Sequence, residues 1–222
     1  MKIIGKIYTD MPDKFGVPRQ AGKVPELSGK IVFYPEYSVK EAFDGIEEFS
    51  HIWVLWQFSE SIRDGFSPTV RPPRLNGNRR KGVFATRSPF RPNSIGLSCV
   101  KLDRVEHTKN QGTVLYVSGV DMMNGTPILD IKPYIAYTDS HPEASQGFAG
   151  EFIDYELKVN FPQNLLDKIP AEKQAGLLGV LKQDPRPAYH NDPERIYGVR
   201  YMCYDVHFTV DKDVLTVVSL NK

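Results

Sequence analysis

The chain has 222 residues, of which 41% are hydrophobic and 25% are charged, and its formal net charge at pH 7 is +1, a composition typical of an ordinary soluble globular protein. No run of residues approaches the ~18 uninterrupted apolar positions that suggest a membrane-spanning helix. The N-terminal sequence MKIIGKIYTD lacks the apolar segment and cleavage site of a secretion signal, so a cytoplasmic protein is expected.

The predicted elements begin with a series of short strands, each marked by apolar and polar residues in alternation. The predicted strands cover residues 2–9, 30–35, 51–58, 82–86, 95–106, 113–121 and 127–134. One helix is predicted over 39–49, where Phe43, Ile46 and Phe49 share a face. Many short strands separated by turn signals favour a β-barrel or a closed sandwich.

The pattern changes after about residue 140. The predicted elements are a linker over 141–151, a strand over 153–161, helical spacing over 162–184 and a closing hairpin of 197–210 and 214–220. Pro170 is expected to break the helical stretch. We therefore predict a mainly β protein, with a small antiparallel barrel over 1–140 and a small α+β domain over 141–222.

The net charge hides a basic segment. Between Asp64 and Asp103 there is no acidic residue. The basic residues of this window are Arg71, Arg74, Arg79, Arg80, Lys81, Arg87, Arg91 and Lys101. Such a concentration is typical of a surface for phosphate or nucleic acid. A solvated basic loop that binds nothing is the alternative.

Several familiar kinds of site are not supported by the sequence. It has no G-x-G-x-x-G, no G-x-x-x-x-G-K-[ST] and no G-x-S-x-G, the motifs of dinucleotide sites, phosphate loops and hydrolase nucleophiles. The two cysteines are far apart and the five histidines are scattered, so free thiols and no metal site are expected. An enzyme made from this chain would need a site built from loops at the rim of the barrel.

Two candidate loops lie in the first third of the chain. In GVPRQAG (16–22), Pro18 fixes the backbone while Arg19 and Gln20 offer a cation and an amide. In FSHIW (49–53), His51 begins a strand. A surface turn and a half-buried structural histidine are the alternative interpretations.

Two further candidates follow. In VFATRSPFRPNSIGL (83–97), prolines stiffen the backbone around Arg87 and Arg91, a pair suited to a carboxylate or a phosphate. In NGTPILDIKPY (124–134), an Asn-Gly turn leads into a strand that carries Asp130 and Lys132. The alternative for the second segment is a hairpin turn with surface charges.

Taken together, these motifs resemble those of one protein family. RPPRLNGNRRKGVFATRSPFRPNSIGLSCVKL followed by NGTPILDIKPYIAYTDS closely resembles the TrmO family, also called TsaA-like. PRQ and FSHIW fit the same pattern, and QDPRPAY (183–189) with YGVRYMCYDVHF resembles the family's C-terminal domain. The resemblance implies an S-adenosylmethionine-dependent methyltransferase that modifies N6 of threonylcarbamoyladenosine at position 37 of tRNA. It also implies a small antiparallel barrel and a homodimer with the cofactor near the subunit interface.

The resemblance also implies roles for single residues. The implied cofactor contacts are Pro18, Arg19, Gln20, His51, Arg87, Leu97, Asn124, Gly125, Thr126 and Pro127. The family usually has Asp where this chain has Asn124, so a contact made through that charge would be weaker here. The implied contacts to the substrate tRNA and its anticodon loop are Arg91, Lys132, Asp184, Arg186 and Tyr189. For QDPRPAY, a rigid loop packed on the barrel is the alternative.

The chemistry adds two hypotheses. N6 bears an acyl-type group and is a poor nucleophile, so removal of its proton would help, and Asp130 or His51 is the candidate base. Arg87 and Arg91 would bind the threonine carboxylate or a neighbouring phosphate, or else one of them holds the cofactor's carboxylate. The rival functions are an RNA-binding barrel without catalysis and a methyltransferase for another substrate.

Overall fold

A closed barrel forms the N-terminal part of the computed structural model, which describes residues 1–72, 79–186 and 192–222. The strands up to residue 140 are β1 Gly5–Thr9, β2 Ser28–Phe33, β3 His51–Gln57, β4 Thr69–Val70, β5 Lys81–Gly82, β6 Ile95–Thr108, β7 Gly112–Ser118 and β8 Pro127–Pro133. Six of them close in the order β1-β2-β7-β6-β3-β8, with every neighbouring pair antiparallel. The predicted fold class is therefore confirmed.

Alternation along the strands fills the barrel. In β3, Ile52, Val54 and Trp56 are buried, while Trp53 and Leu55 between them are partly exposed. Because successive side chains of a strand point to opposite faces, the first set lies inside the barrel and the second outside it. Full burial of each aliphatic side chain contributes roughly 1.5–3 kcal/mol to folding.

Two predicted elements of this half are wrong. The helix expected over 39–49 is a pair of 3-10 turns, Lys40–Phe43 and Ile46–Glu48. Gly45 between them has φ +81°, a left-handed conformation that ends the first turn. The strand expected over 82–86 shrinks to β5, because Val83–Ala85 forms another 3-10 turn.

From residue 136 onward the chain forms short helices and a four-stranded sheet. Its elements are α1 Ala136–Asp139, β9 Lys158–Asn160, α2 Gln163–Leu166, α3 Ala171–Lys182, β10 Tyr197–Tyr201, β11 Tyr204–Asp211 and β12 Val214–Asn221. The sheet order is β10-β11-β12-β9, with only the β12–β9 pair parallel. Pro170 directly precedes α3, so the predicted break is confirmed. The expected strand over 153–161 is only β9, and 197–210 forms two strands that turn at Met202 (φ +54°).

One continuous core joins the two halves. Leu177, Val180 and Leu181 of α3 are fully buried and belong to the same apolar cluster as the barrel interior. At the junction, Lys173 Nζ lies 2.6 Å from Asp10 Oδ2. The boundary at residue 140 stays a prediction, since this core crosses it. No helix in the described ranges is long and apolar enough to cross a membrane.

Candidate functional site

Three connections meet at one end of the barrel. Because neighbouring strands are antiparallel, β1, β3 and β7 end where β2, β6 and β8 begin. The connections at this end are 10–27, the described part of 58–94, and 119–126, and we call them the rim. The PRQ, RSPFRP and NGTP motifs lie in the rim or at its edge, so the topology brings together segments that are far apart in sequence.

The PRQ and RSPFRP motifs touch directly. Arg87 Nη1 donates a hydrogen bond to Gln20 Oε1. Arg91 Nη1 donates to the carbonyl oxygens of Thr86 (2.8 Å) and Ser88 (3.4 Å), which hold its guanidinium against its own loop. Within the described ranges neither Arg87 nor Arg91 is in an ion pair. Both therefore offer a positive charge to a ligand at the rim.

The NGTP turn is fixed by Asn124. Its Oδ1 accepts the backbone N–H of Thr9 at 3.1 Å, at the end of β1. Gly125 has φ +80°, and Thr126 Oγ1 donates to the carbonyl of Met123 at 2.7 Å. The contact to Thr9 needs only an oxygen acceptor, which Asp would also supply. The turn geometry therefore survives the departure from the family's Asp.

A chain of hydrogen bonds that the sequence analysis missed runs from the barrel interior to the rim. Trp56 Nε1 donates to Ser98 Oγ at 2.9 Å, and Ser98 Oγ donates to Asp121 Oδ1 at 2.6 Å. Trp56 and Ser98 are buried. The Trp56 indole lies so close to Gly96 that a Cβ there would come within 2.2 Å of it.

Asp121 is partly buried and lies within the electrostatic reach of Arg87. Burial raises the pKa of its carboxyl above 3.8, although hydrogen bonds from Ser98 and the Ala21 backbone and the charge of Arg87 oppose that rise. The side chain thus contacts the loop that carries Gln20 and faces the charge of the Arg87 loop. Its only sequence signal was its place three residues before NGTP.

The structure places the other predicted residues of the barrel on its outer wall. In the strand register, Leu97 and Asp130 lie on either side of Leu55, and Lys132 is opposite Trp53. Leu97 is 55% exposed. Asp130 Oδ2 is ion-paired with Lys132 Nζ at 3.1 Å.

His51 lies at the far end of β3 from the rim. Its Nδ1 is 2.9 Å from Ser50 Oγ, and its ring makes an edge contact with Tyr134. Strands rise about 3.3 Å per residue, so six residues of β3 separate His51 from the rim by roughly 20 Å. A single chain therefore does not bring His51 to Gln20 or Asn124.

The C-terminal QDPRPAY motif begins with a buried ion pair. Arg186 Nε lies 3.0 Å from Asp184 Oδ1, and the Tyr155 hydroxyl donates to Asp184 Oδ2 at 2.7 Å. Asp184 and Arg186 are both buried, so each charge is balanced by the other. Tyr189 lies outside the described residues. The predicted tRNA contacts of this motif stay predictions.

The same motif borders the PRQ loop. An open cleft of about 190 Å³ lies between residues 14–19 and residues 180–185, and its lining includes Pro18, Arg19 and Asp184. Both cysteines are free thiols. In the part of the chain that the structure describes, no three His, Cys, Asp or Glu side chains lie close enough to hold a metal ion.

Two family models match the sequence. The tRNA-methyltransferase O N-terminal domain covers residues 6–140, and the TrmO C-terminal domain covers residues 154–222. The chain belongs to the TrmO family. The resemblance seen in the motifs is therefore confirmed over nearly the whole chain.

Individual TrmO relatives agree with the family assignment. The tRNA (adenine(37)-N6)-methyltransferase of Escherichia coli K12 is 40% identical over 98% of this chain and 95% of the relative. A putative S-adenosylmethionine-dependent methyltransferase, RcsF, of Pseudomonas aeruginosa PAO1 is 39% identical over the same shares. A crystal structure of TrmO and one of TrmO from Pseudomonas aeruginosa, each 32% identical, align with TM-scores of 0.79 and 0.77 over 99% of this chain and 97% of theirs.

Proposed function

We propose that this chain transfers a methyl group from S-adenosylmethionine to N6 of adenine 37 of tRNA, and that the target is the threonylcarbamoyl form of that nucleoside. The adenine-37 activity is that named for the Escherichia coli relative, which matches almost end to end. The observation that carries the proposal is the meeting of PRQ, RSPFRP and NGTP at one rim, with Arg87 hydrogen-bonded to Gln20.

The charges of the rim fit the cofactor. S-adenosylmethionine, when bound, supplies an electrophilic methyl group on a positively charged sulfur, and it also carries a carboxylate. Arg87 suits that carboxylate, because a guanidinium binds it through two hydrogen bonds. The partly buried carboxylate of Asp121 suits a positive group. The rest of the cofactor would be held by Pro18, Arg19, Gln20 and the turn Asn124–Pro127.

We further propose that the active form is a homodimer. His51 and Leu97 are on the outer wall, and His51 is at the end of β3 that is far from the rim of its own chain. A second copy laid against this wall would bring its rim to these side chains. Leu97, with 55% of its surface exposed, is an apolar contact suited to such an interface.

A complementation experiment tests the shared site. Arg87→Ala and His51→Ala are each expected to be inactive, because each removes one contribution to every site. Co-expressed in equal amounts, they form mixed dimers with one intact site, so about a quarter of the wild-type activity returns. Activity that stays absent in the mixture, with mixed dimers verified by mass, would place the whole site within one chain.

The base remains a pair of hypotheses, Asp130 and His51. Asp130 is held by Lys132 and by the backbone N–H of Ile131, at 3.0 Å, on the outer wall. A base must come within hydrogen-bond reach of the proton it removes, so either residue would act on a substrate at the dimer interface. If both Asp130→Asn and His51→Ala keep full activity, neither is the base.

The first experiment is mass spectrometry of tRNA nucleosides after incubation with the protein and S-adenosylmethionine. The substrate is tRNA that carries threonylcarbamoyladenosine, with an unmodified transcript as the control. A gain of one methyl group on that nucleoside alone is expected. Cofactor binding without this product would indicate another substrate. Salt-dependent RNA binding without cofactor binding would indicate the non-enzymatic barrel.

A further inference from the structure

Three phenylalanines on the connection between β3 and β6 face solvent. Phe84 is 72% exposed, Phe66 is 55% exposed and Phe90 is 37% exposed. Burial of an aromatic side chain contributes roughly 1.5–3 kcal/mol to folding, so folding alone would favour covering them. Exposed apolar groups that are clustered, rather than scattered singly, mark sites of interaction.

The phenylalanines form a group with arginines. The rings of Phe66 and Phe84 lie 6.2 Å apart at an interplanar angle of 28°, close to parallel. The guanidinium carbon of Arg63 is 3.8 Å from the centre of the Phe90 ring, and that of Arg91 is 5.9 Å from the centre of Phe84. We call these five residues the aromatic–arginine surface.

Flat rings alternating with guanidinium groups are suited to unpaired nucleotides. Bases stack on aromatic rings and on guanidinium planes, and positive charges attract the phosphates between them. Four of the five residues lie in the segment between Asp64 and Asp103, which has no acidic residue, so the charge of this surface is complementary to a polyanion. A second copy of the chain is a poorer occupant, because an isologous contact would place this positively charged surface against the same surface of the other copy.

The surface adjoins the rim. Arg91 belongs both to the surface and to the loop that begins at Arg87, whose guanidinium contacts Gln20. Phe84 is three residues before Arg87. A nucleotide stacked on Phe84 would therefore lie beside the place where methyl transfer is proposed.

We propose that the aromatic–arginine surface binds the unpaired anticodon-loop nucleotides next to the target adenine by stacking. This inference rests on the proposed function, since it names the part of the chain that holds the tRNA substrate. The surface positions RNA and does not react with it. Phe84, the most exposed ring, is its main stacking platform.

The test compares Phe84→Ala with a matched control, Tyr34→Ala. Tyr34 is 40% exposed and follows the end of β2 that is opposite the rim. The readouts are the Kd for an anticodon stem-loop carrying threonylcarbamoyladenosine, the KM for the same RNA, and the Kd for S-adenosylmethionine. Loss of one base–aromatic stack is expected to raise both RNA constants roughly 5- to 150-fold in Phe84→Ala. The cofactor constant and the melting temperature are expected to stay unchanged, and Tyr34→Ala is expected to match the wild type.

Two more variants separate stacking from general hydrophobicity. Phe84→Trp keeps a flat ring and should restore RNA binding, whereas Phe84→Leu keeps an apolar side chain and should behave like Phe84→Ala. Equal binding by Phe84→Leu and wild type would overturn the stacking proposal. A change in oligomeric mass in Phe84→Ala would also overturn it, because the surface would then be an interface between copies.

The two proposals can fail separately. If wild-type protein binds the stem-loop through Phe84 but methylates nothing, the proposed function is refuted and the proposed RNA-binding role of the surface is supported. If wild-type protein methylates the tRNA and Phe84→Ala leaves the Kd and KM for RNA unchanged, the proposed function is supported and the RNA-binding role of the surface is refuted.

Discussion

A buried carboxylate, Asp184, and a partly buried one, Asp121, are held in opposite ways. In the C-terminal half, Asp184 is ion-paired with Arg186 and accepts the hydroxyl of Tyr155. At the rim, the hydrogen bonds to Asp121 come from neutral groups, the Ser98 hydroxyl and the Ala21 backbone, and burial raises its pKa. A carboxylate removed from water lowers stability when hydrogen bonds and opposite charges only partly replace its hydration. A carboxylate with a close ion-pair partner instead fixes the conformation of the residues around it. The difference indicates a structural role for Asp184 and a role in ligand binding for Asp121.

The largest effect on stability is expected from Asp184→Asn. The amide keeps the shape and tolerates the left-handed backbone at this position, φ +52°, but it removes the negative charge that faces the buried guanidinium of Arg186. We expect the free energy of unfolding to fall by about 3 kcal/mol. Urea unfolding measures it, and adding Arg186→Met should recover part of the loss. A loss below about 1 kcal/mol would contradict the assigned structural role.

Asp121→Asn should lower activity rather than stability. The amide oxygen can still accept the Ser98 hydrogen bond, while the cost of shielding a charge disappears, so stability at pH 7 should be unchanged or slightly higher. The negative charge facing Arg87 is lost, and we expect kcat/KM for methylation to fall at least about tenfold, or ~1.4 kcal/mol of transition-state stabilisation. Ser98→Ala removes one hydrogen-bond donor and no charge, so it is the control and should lower kcat/KM less. Full activity in Asp121→Asn would remove Asp121 from the site.

Acidification should narrow the stability difference between wild type and Asp121→Asn. Because the folded-state pKa is raised, folded protein binds more protons than unfolded protein over the window from pH 3.8 up to that raised value. The penalty from Asp121 is therefore fully present above the window and relieved as the pH falls through it. Urea unfolding of both proteins between pH 4 and 8 should show this convergence. Parallel curves across that range would mean that the pKa of Asp121 is not raised.

The smallest effect is expected from Asn124→Asp, which restores the residue usual in the family. The carboxylate can accept the Thr9 N–H as the amide does, so stability should change by less than about 0.5 kcal/mol. The Kd for S-adenosylmethionine should change by less than about twofold, or ~0.4 kcal/mol, if the residue acts through turn geometry. A tenfold gain in affinity measured by calorimetry would show that the missing charge matters.

The sequence was informative wherever local pattern determines structure. Alternation located the barrel strands, and Pro170 located the start of α3, because both signals act over a few residues. The predicted helix over 39–49 failed because its apolar spacing was correct for Phe43, which is buried, while Gly45 adopts a left-handed conformation that spacing does not reveal.

The site was only partly predictable for a different reason. PRQ, RSPFRP and NGTP were recognisable as motifs, but their meeting depends on strand order, which no local pattern encodes. Asp121 was missed because its feature is partial burial beside Ser98, and neither the motifs nor the charge pattern reports burial. The pairing of Arg186 with Asp184 was missed because two charges in one short loop can also both face solvent.

Gly16 has one more consequence, for the independence of the barrel. Its φ is +88°, and a Cβ there would lie 2.2 Å from Val199 Cγ2 of β10, so the PRQ loop rests directly on the C-terminal sheet. That loop thus takes its shape from a neighbour encoded some 180 residues later. A barrel excised from the chain would therefore lack the part of the C-terminal sheet against which the PRQ loop takes its shape.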